Sequence, residues 1–289
     1  MNFIDFARAH GVEIDPSRLY ASERIHRCGT TERPKSNNGA YFWNGERGWV
    51  MDWSGEARAV WFEDPKAKPW NDDEKRLWAA KRATAATEQE RKYEQAALRA
   101  DITIRSAKMD YHPYLEIKGF KDSRGLVLDD NLIVPMRNVV TNKLQGYQSI
   151  HWLVDEGRYE KKMMTGMRAK NAVLYLGNRE LPECWLVEGL ATGMSVRHAL
   201  RSVGVPASVV VCFSASNLIN VADQIPGKRF VFSDNDESKT GELSAIKTGL
   251  PWTMADTVGW DANDLHQKES LFAVVGKIMD LRKREMVYS

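Results

Sequence analysis

Cysteine is scarce in this chain: there are three in 289 residues, Cys28, Cys184 and Cys212. An odd count at wide spacing excludes a disulfide framework and a zinc site built from paired cysteines. Histidine is equally thin, and none of its six positions (His10, His26, His112, His151, His198 and His266) falls at a His-x-x-x-His spacing. No run approaches the ~20 apolar residues that a membrane span needs. No Walker-type phosphate loop is present, which excludes a fused helicase or ATPase, and the contexts of Ser195 and Ser214 lack the glycine-framed elbow of a hydrolase nucleophile. The opening Met1-Asn2-Phe3-Ile4-Asp5 has neither the basic start nor the apolar core of a secretory signal. The expected setting is a reducing cytoplasm.

What the chain does have is acid at the ends of apolar runs. Trp185-Leu186-Val187 leads into Glu188-Gly189, and Phe230-Val231-Phe232-Ser233 leads into Asp234-Asn235-Asp236. Each run reads as a buried strand of a parallel sheet that delivers carboxylates to its C-terminal end, the edge where open α/β sheets bind ligands. Three carboxylates in one small volume repel by roughly 4 kcal/mol per pair at 4 Å and an effective dielectric of about 20. A cation or a raised pKa must relieve that. All-oxygen donors suit Mg2+ or Mn2+, the usual ions of phosphate chemistry. Charge is also distributed unevenly. Residues 131–182 carry eight basic side chains against four acidic, whereas residues 183–266 carry six against ten. A basic segment preceding an acidic, metal-binding one suits a protein that processes polyanions.

Four regions follow from the pattern. Residues 1–70 form a small Trp-rich module with a short amphipathic helix near its start and a hairpin at Asn44-Gly45, closed by a turn at Ser54-Gly55. Residues 71–110 read as one long charged helix without Gly or Pro, a solvated spacer with Asn71 or Asp72 as its cap. Residues 111–182 form a basic part with strands at 132–136 and 144–150 around a turn at Thr141-Asn142. Residues 183–289 alternate strands (184–188, 208–213, 229–233, 251–255) with helices (190–202, 217–225, 241–249, 265–284), the pattern of a doubly wound parallel sheet.

These pieces carry a resemblance. Val187-Glu188-Gly189-Leu190-Ala191-Thr192-Gly193, then Ser233-Asp234-Asn235-Asp236, then Asp261-Ala262-Asn263-Asp264-Leu265 together look like a Toprim domain. Leu132-Ile133-Val134-Pro135-Met136-Arg137-Asn138, Gly157-Arg158-Tyr159-Glu160-Lys161-Lys162-Met163 and Ala169-Lys170-Asn171-Ala172-Val173-Leu174-Tyr175 resemble the basic half of bacterial-type, DnaG-like primases, especially phage and plasmid versions. The resemblance spans about residue 114 to the C-terminus. It implies an α/β protein in which a Toprim doubly wound parallel sheet follows a basic α+β primase-core subdomain. It further implies DNA primase activity: a nucleotidyltransferase making short RNA primers on a single-stranded DNA template from NTPs, with Mg2+ or Mn2+ and a separate replicative helicase as partner. Glu188, Asp234, Asp236 and Asp261 would be catalytic, with Glu188, Asp234 and Asp236 as metal ligands. Arg137, Lys161, Lys162, Lys170 and Gly189 would bind nucleotide or template.

The chain departs from the family pattern in three places. Thr192 stands where many cellular primases have an additional Asp, and Asn263 stands in place of an acid, so weaker metal binding is expected. Residues 26–62 follow the layout of a primase zinc ribbon with only His26 and Cys28 as possible ligands; a β-rich, metal-free, ribbon-like module is expected, with no zinc. Its tryptophans either build the core or, at Trp43 or Trp49, stack on single-stranded bases. Two other outcomes fit the same residues: a Toprim nuclease, and a catalytically weak single-strand-binding replication or interference factor. His266 is the histidine nearest the predicted site.

Overall fold

The computed structural model describes residues 1–22, 24–53, 58–63, 71–153 and 156–287, the side chains of Glu63, Glu74 and Val287 excepted. The turn expected at Ser54-Gly55 and residues 64–70 lie outside them. The chain divides into two compact units, Met1–Arg82 and Ala83–Ser289.

The first unit holds α1 (Phe3–Ala9) and strands β1 (Val12–Glu13), β2 (Ile25–Thr30), β3 (Gly39–Trp43), β4 (Arg47–Asp52) and β5 (Val60–Glu63). They form an antiparallel sheet in that order. The β3–β4 turn is the one expected: Gly45 has φ +102°, and the Asn44 side chain accepts from the N–H of Glu46 and Arg47. The core uses alternate strand residues, Tyr41, Val50 and Phe62, under Phe3 and Phe6 of α1. Trp43 belongs to that core: its ring stacks on Phe3 at 4.5 Å and meets Phe62 edge-on at 5.8 Å. A large aromatic cluster of this kind stabilises a small domain by burial.

The next helix, α2 (Asp72–Ser106), crosses the boundary between the units. Its second half is more than a spacer. Ala96 and Ala100 are fully buried, and Tyr93 stacks under the guanidinium of Arg168, which also pairs with Glu90. Alanine lets helix and neighbour approach closely, an apolar contact that a count of large side chains overlooks.

The second unit continues with β6 (Lys108–Asp110), α3 (Pro113–Ile117), β7 (Gly125–Leu128), β8 (Asn131–Asn138), β9 (Leu144–Leu153), β10 (Arg158–Met163) and β11 (Ala172–Leu176). Then come β12 (Glu183–Val187), α4 (Leu190–Ser202), β13 (Ala207–Val211), α5 (Ala215–Ala222), β14 (Lys228–Ser233), α6 (Thr240–Lys247), β15 (Trp252–Met254), α7 (Ala262–Lys268) and α8 (Leu271–Val287). One sheet runs β10-β9-β8-β11-β13-β12-β14-β15. Its first half is antiparallel, and β13, β12, β14 and β15 are parallel. β11 joins the halves, pairing with β8 on one side and β13 on the other. Lys161 of β10 comes close enough to the acidic strand ends for its charge to act on Glu188 and Asp234.

Period-two alternation builds a core on each side of the parallel half. Trp185, Val187, Val209, Val211, Phe230 and Phe232 face one side, and Cys184, Leu186, Val210, Cys212 and Val231 the other. Trp185 and Phe230, on adjacent strands, stack at 4.8 Å. The C-terminal helix expected at 265–284 is two helices, α7 and α8. Asp261 caps α7 at its start, and Ser270 accepts from the N–H of Ala273 to open a second helix. Among the described residues no helix is long and apolar enough to cross a membrane.

Candidate active site

β12 and β14 are neighbours in parallel register, Trp185 opposite Phe230 and Leu186 opposite Val231. Their exits therefore place Glu188 and Asp234 at one edge of the sheet. Glu188 is held by its backbone: its carbonyl accepts from the N–H of Phe213 at 2.8 Å. Phe213 sits at φ +65°, an uncommon conformation for a bulky side chain that packing must sustain. Gly189 caps α4 at φ −101°, an extended conformation open to any residue. A Cβ there would meet only Thr192 Oγ1 at 3.3 Å, so Gly189 serves by leaving the first turn of α4 bare rather than by an unusual φ.

Electrostatics mark this edge as unrelieved. Asp234 is pushed up from 3.8 to about 7, chiefly by burial and then by the charges of Asp261 and Glu188. Glu188 is raised as well, first by burial and then by Asp236. The ammonium of Lys161 opposes both shifts. Asp234 Oδ1 is buried without a hydrogen-bond partner, and so is the hydroxyl of Tyr114. Tyr114 also feels Asp261, its hydroxyl being raised to about 12 mainly by burial, and Lys161 Nζ stands 5.6 Å from the Tyr114 ring centroid.

The other two predicted acids are spent on structure. In Asp236, Oδ1 accepts from the N–H of Thr240 at 3.0 Å and from Ser238, and Oδ2 from the N–H of Gly241 at 2.7 Å. Burial alone would raise its carboxyl, but these bonds hold it below the usual range. Asp261 is the N-cap of α7. Its Oδ1 accepts from the N–H of Asn263 and Asp264, and Oδ2 from Thr192 Oγ1 at 3.0 Å. Thr192 is thus a buried donor to Asp261; an acid there would face another acid.

Asn263 has an equally defined role. It is fully buried, its amide nitrogen donates to the carbonyl of Lys118 and to Ser195 Oγ, and its oxygen accepts from Gln267. A carboxylate cannot make the two donations. His266 bonds Ser195 Oγ through Nδ1 at 3.2 Å in the same polar cluster between α4 and α7, and burial holds its pKa down.

Among the predicted bases, Lys161 is brought to the acids. Lys162 points to the opposite face of β10 and pairs with Glu160 at 2.6 Å. Arg137 donates to the carbonyl of Asn142 across the β8–β9 turn. Lys170 is exposed in the loop before β11, where its carbonyl accepts from Gln145. Sequence reading missed Tyr114, Thr192 as a donor, and Gly241. At Gly241 a Cβ would lie 2.2 Å from the Asp234 carbonyl oxygen and 2.9 Å from Ser233 Oγ. Gly241→Ala is expected to destabilise by about 1–3 kcal/mol, seen as a lowered urea midpoint. Gly276→Ala, where nothing lies within 4 Å in helix α8, is expected to stabilise by about 0.5–1 kcal/mol.

Among the described residues no group of three or more His, Cys, Asp or Glu side chains is arranged to hold a metal ion. Asp234 nonetheless fits a hard divalent cation, because it is a buried oxygen donor with an unpaired Oδ1 and three acidic neighbours, Asp261, Glu188 and Asp236. No protein-family model matches the chain, nor does any curated protein. Among solved structures it is similar to the catalytic core of DnaG, at 15% identity over 68% of this chain and 72% of that chain, with a TM-score of 0.37.

Proposed function

We propose that the chain is a metal-dependent nucleotidyltransferase of the primase class, extending short RNA primers from NTPs on single-stranded DNA. One observation carries this reading: Glu188 and the buried, unpaired Asp234 share a strand-end edge to which the basic β9–β10 hairpin contributes Lys161. Glu188 and Asp234 would hold Mg2+ or Mn2+, with Asp236 reached by rearrangement of its loop. Bound there, such an ion polarises phosphoryl oxygens and lowers the pKa of an attacking hydroxyl.

The chain's own groups have separable tasks. Lys161 supplies a positive charge for a nucleotide phosphate and, with no nucleotide present, tempers the acids. The bare N–H groups at the start of α4 suit a second anionic oxygen. Asp261 acts at one remove, fixing Thr192 and the start of α7. Arg137, Lys162 and Lys170 would follow the template backbone, and a separate replicative helicase would present the strand. A single-strand-binding factor without chemistry is the second reading, favoured by the hydrogen bonds that occupy Asp236 and Asp261.

The test is incubation with labelled NTPs, single-stranded DNA and Mg2+ or Mn2+. Short RNA products lost in Glu188→Gln and in Lys161→Ala are expected, with the glutamine variant lower by at least about 100-fold, the scale of one transition-state electrostatic contact. Template degradation without synthesis would replace the proposal with a nuclease. Strand binding without either product would replace it with the second reading.

A further inference from the structure

The antiparallel half holds a cavity of about 420 Å³ whose walls include four rings, Tyr111, His112, Trp152 and Tyr159; its one acid is Asp130. None of the predicted site residues lines it. We propose that this cavity takes an unstacked base of single-stranded nucleic acid, held against aromatic faces while the strand passes the acidic edge. The inference rests on the reading that the chain works on a single strand.

The sheet register sets the arrangement. Trp152 pairs with Tyr159 and Ile150 with Lys161 across β9 and β10, so the period of two puts Trp152, Tyr159 and Lys161 on one face of the hairpin. The rings follow one another along that face. Trp152 lies 4.9 Å from Tyr159, Tyr159 lies 5.3 Å from Tyr114, and Lys161 stands over Tyr114. Trp152 is 45% exposed and Tyr111 55%, so wide ring surfaces remain open. Arg124 stacks on Tyr111 at 4.8 Å, adding a cation beside the rings that suits a phosphate.

The cavity is built for stacking rather than for reading a base edge. Both ring nitrogens of His112 are engaged by backbone: Nδ1 accepts from the N–H of Tyr114, and Nε2 meets the carbonyl oxygen of Asp130. Every base has a π face, so capture here is tolerant of sequence.

The experiment is fluorescence anisotropy with the full chain, a labelled oligo-dT strand and the same strand built from abasic residues. Trp152→Ala is expected to weaken oligo-dT binding by about 5- to 100-fold, and Trp152→Phe to recover most of it. The abasic strand should bind wild type and Trp152→Ala alike, and the salt dependence should not change, because no phosphate contact is removed. Equal affinity of wild type and Trp152→Ala for oligo-dT, or tight binding of the abasic strand by wild type, overturns the stacking site while leaving primer synthesis intact. Absence of any strand binding by wild type overturns both.

Discussion

Asp234→Asn should make the chain more stable in EDTA at pH 7.5 while abolishing the proposed primer synthesis. The carboxyl of Asp234 is displaced from 3.8 to about 7 by burial and by Asp261 and Glu188. At about 1.4 kcal/mol per pH unit, ionising it inside the fold costs up to about 4 kcal/mol. The sign follows from proton counting. Between pH 3.8 and about 7 the folded chain keeps a proton that the unfolded chain has lost. Stability contributed by this group is therefore full below that window and falls as pH rises through it. Wild type in EDTA should lose thermal stability from pH 4 to 7, and Asp234→Asn should not show that component. Mg2+ or Mn2+ should stabilise wild type at pH 7.5, by about 2.7 kcal/mol at a hundredfold excess over Kd, and leave the variant unmoved. Scanning calorimetry across pH, with and without the ion, measures all three; a variant no more stable than wild type in EDTA would show that Asp234 carries no such cost.

The second large effect concerns Asn263, one of the positions that differ from the Toprim-like pattern the sequence resembles. Asn263→Asp, which places an acid in the downstream element, should weaken the protein rather than improve metal binding. The asparagine donates to the Lys118 carbonyl and to Ser195 Oγ from a fully buried position. An aspartate would leave that carbonyl unpaired, at about 1–3 kcal/mol, and add a buried charge close to Asp261. A loss of roughly 3–5 kcal/mol is expected, the range for an uncompensated buried charge, visible as a lower urea midpoint. The variant should also recover stability on acidification, since protonation removes the charge. Unchanged stability together with tighter Mn2+ binding would instead make residue 263 a position from which an acid can bind the metal.

Both effects come from side chains whose roles were only partly legible along the chain. The strands announced themselves, because Trp185, Leu186 and Val187, and Phe230, Val231 and Phe232, are apolar on both faces, and a run of that kind can only be buried twice over. Glu188 and Asp234 therefore had to emerge at strand ends, and the hairpin at Asn44-Gly45 followed from turn chemistry alone. Trp43 was ambiguous in sequence, since a tryptophan on a short strand serves a core or a ligand equally well; Phe3, brought from 40 residues earlier in the chain, settles it as core. The final helix failed as a single element because apolar periodicity runs through Glu269-Ser270 and does not register a cap.

The sequence by itself thus determined the α/β alternation, the acidic strand ends and the segregation of basic from acidic halves. These are local properties, written in periods of two and 3.6 and in the charge of neighbouring residues. Only the tertiary structure decided which carboxylates remain available. Asp261 is taken up by Thr192 from 69 residues away, Asn263 is committed to Lys118 across 145 residues, and Asp234 is left buried and unpaired. Hydrogen-bond capacity is allotted between elements that meet only in the folded state, and no local pattern along the chain records that allotment.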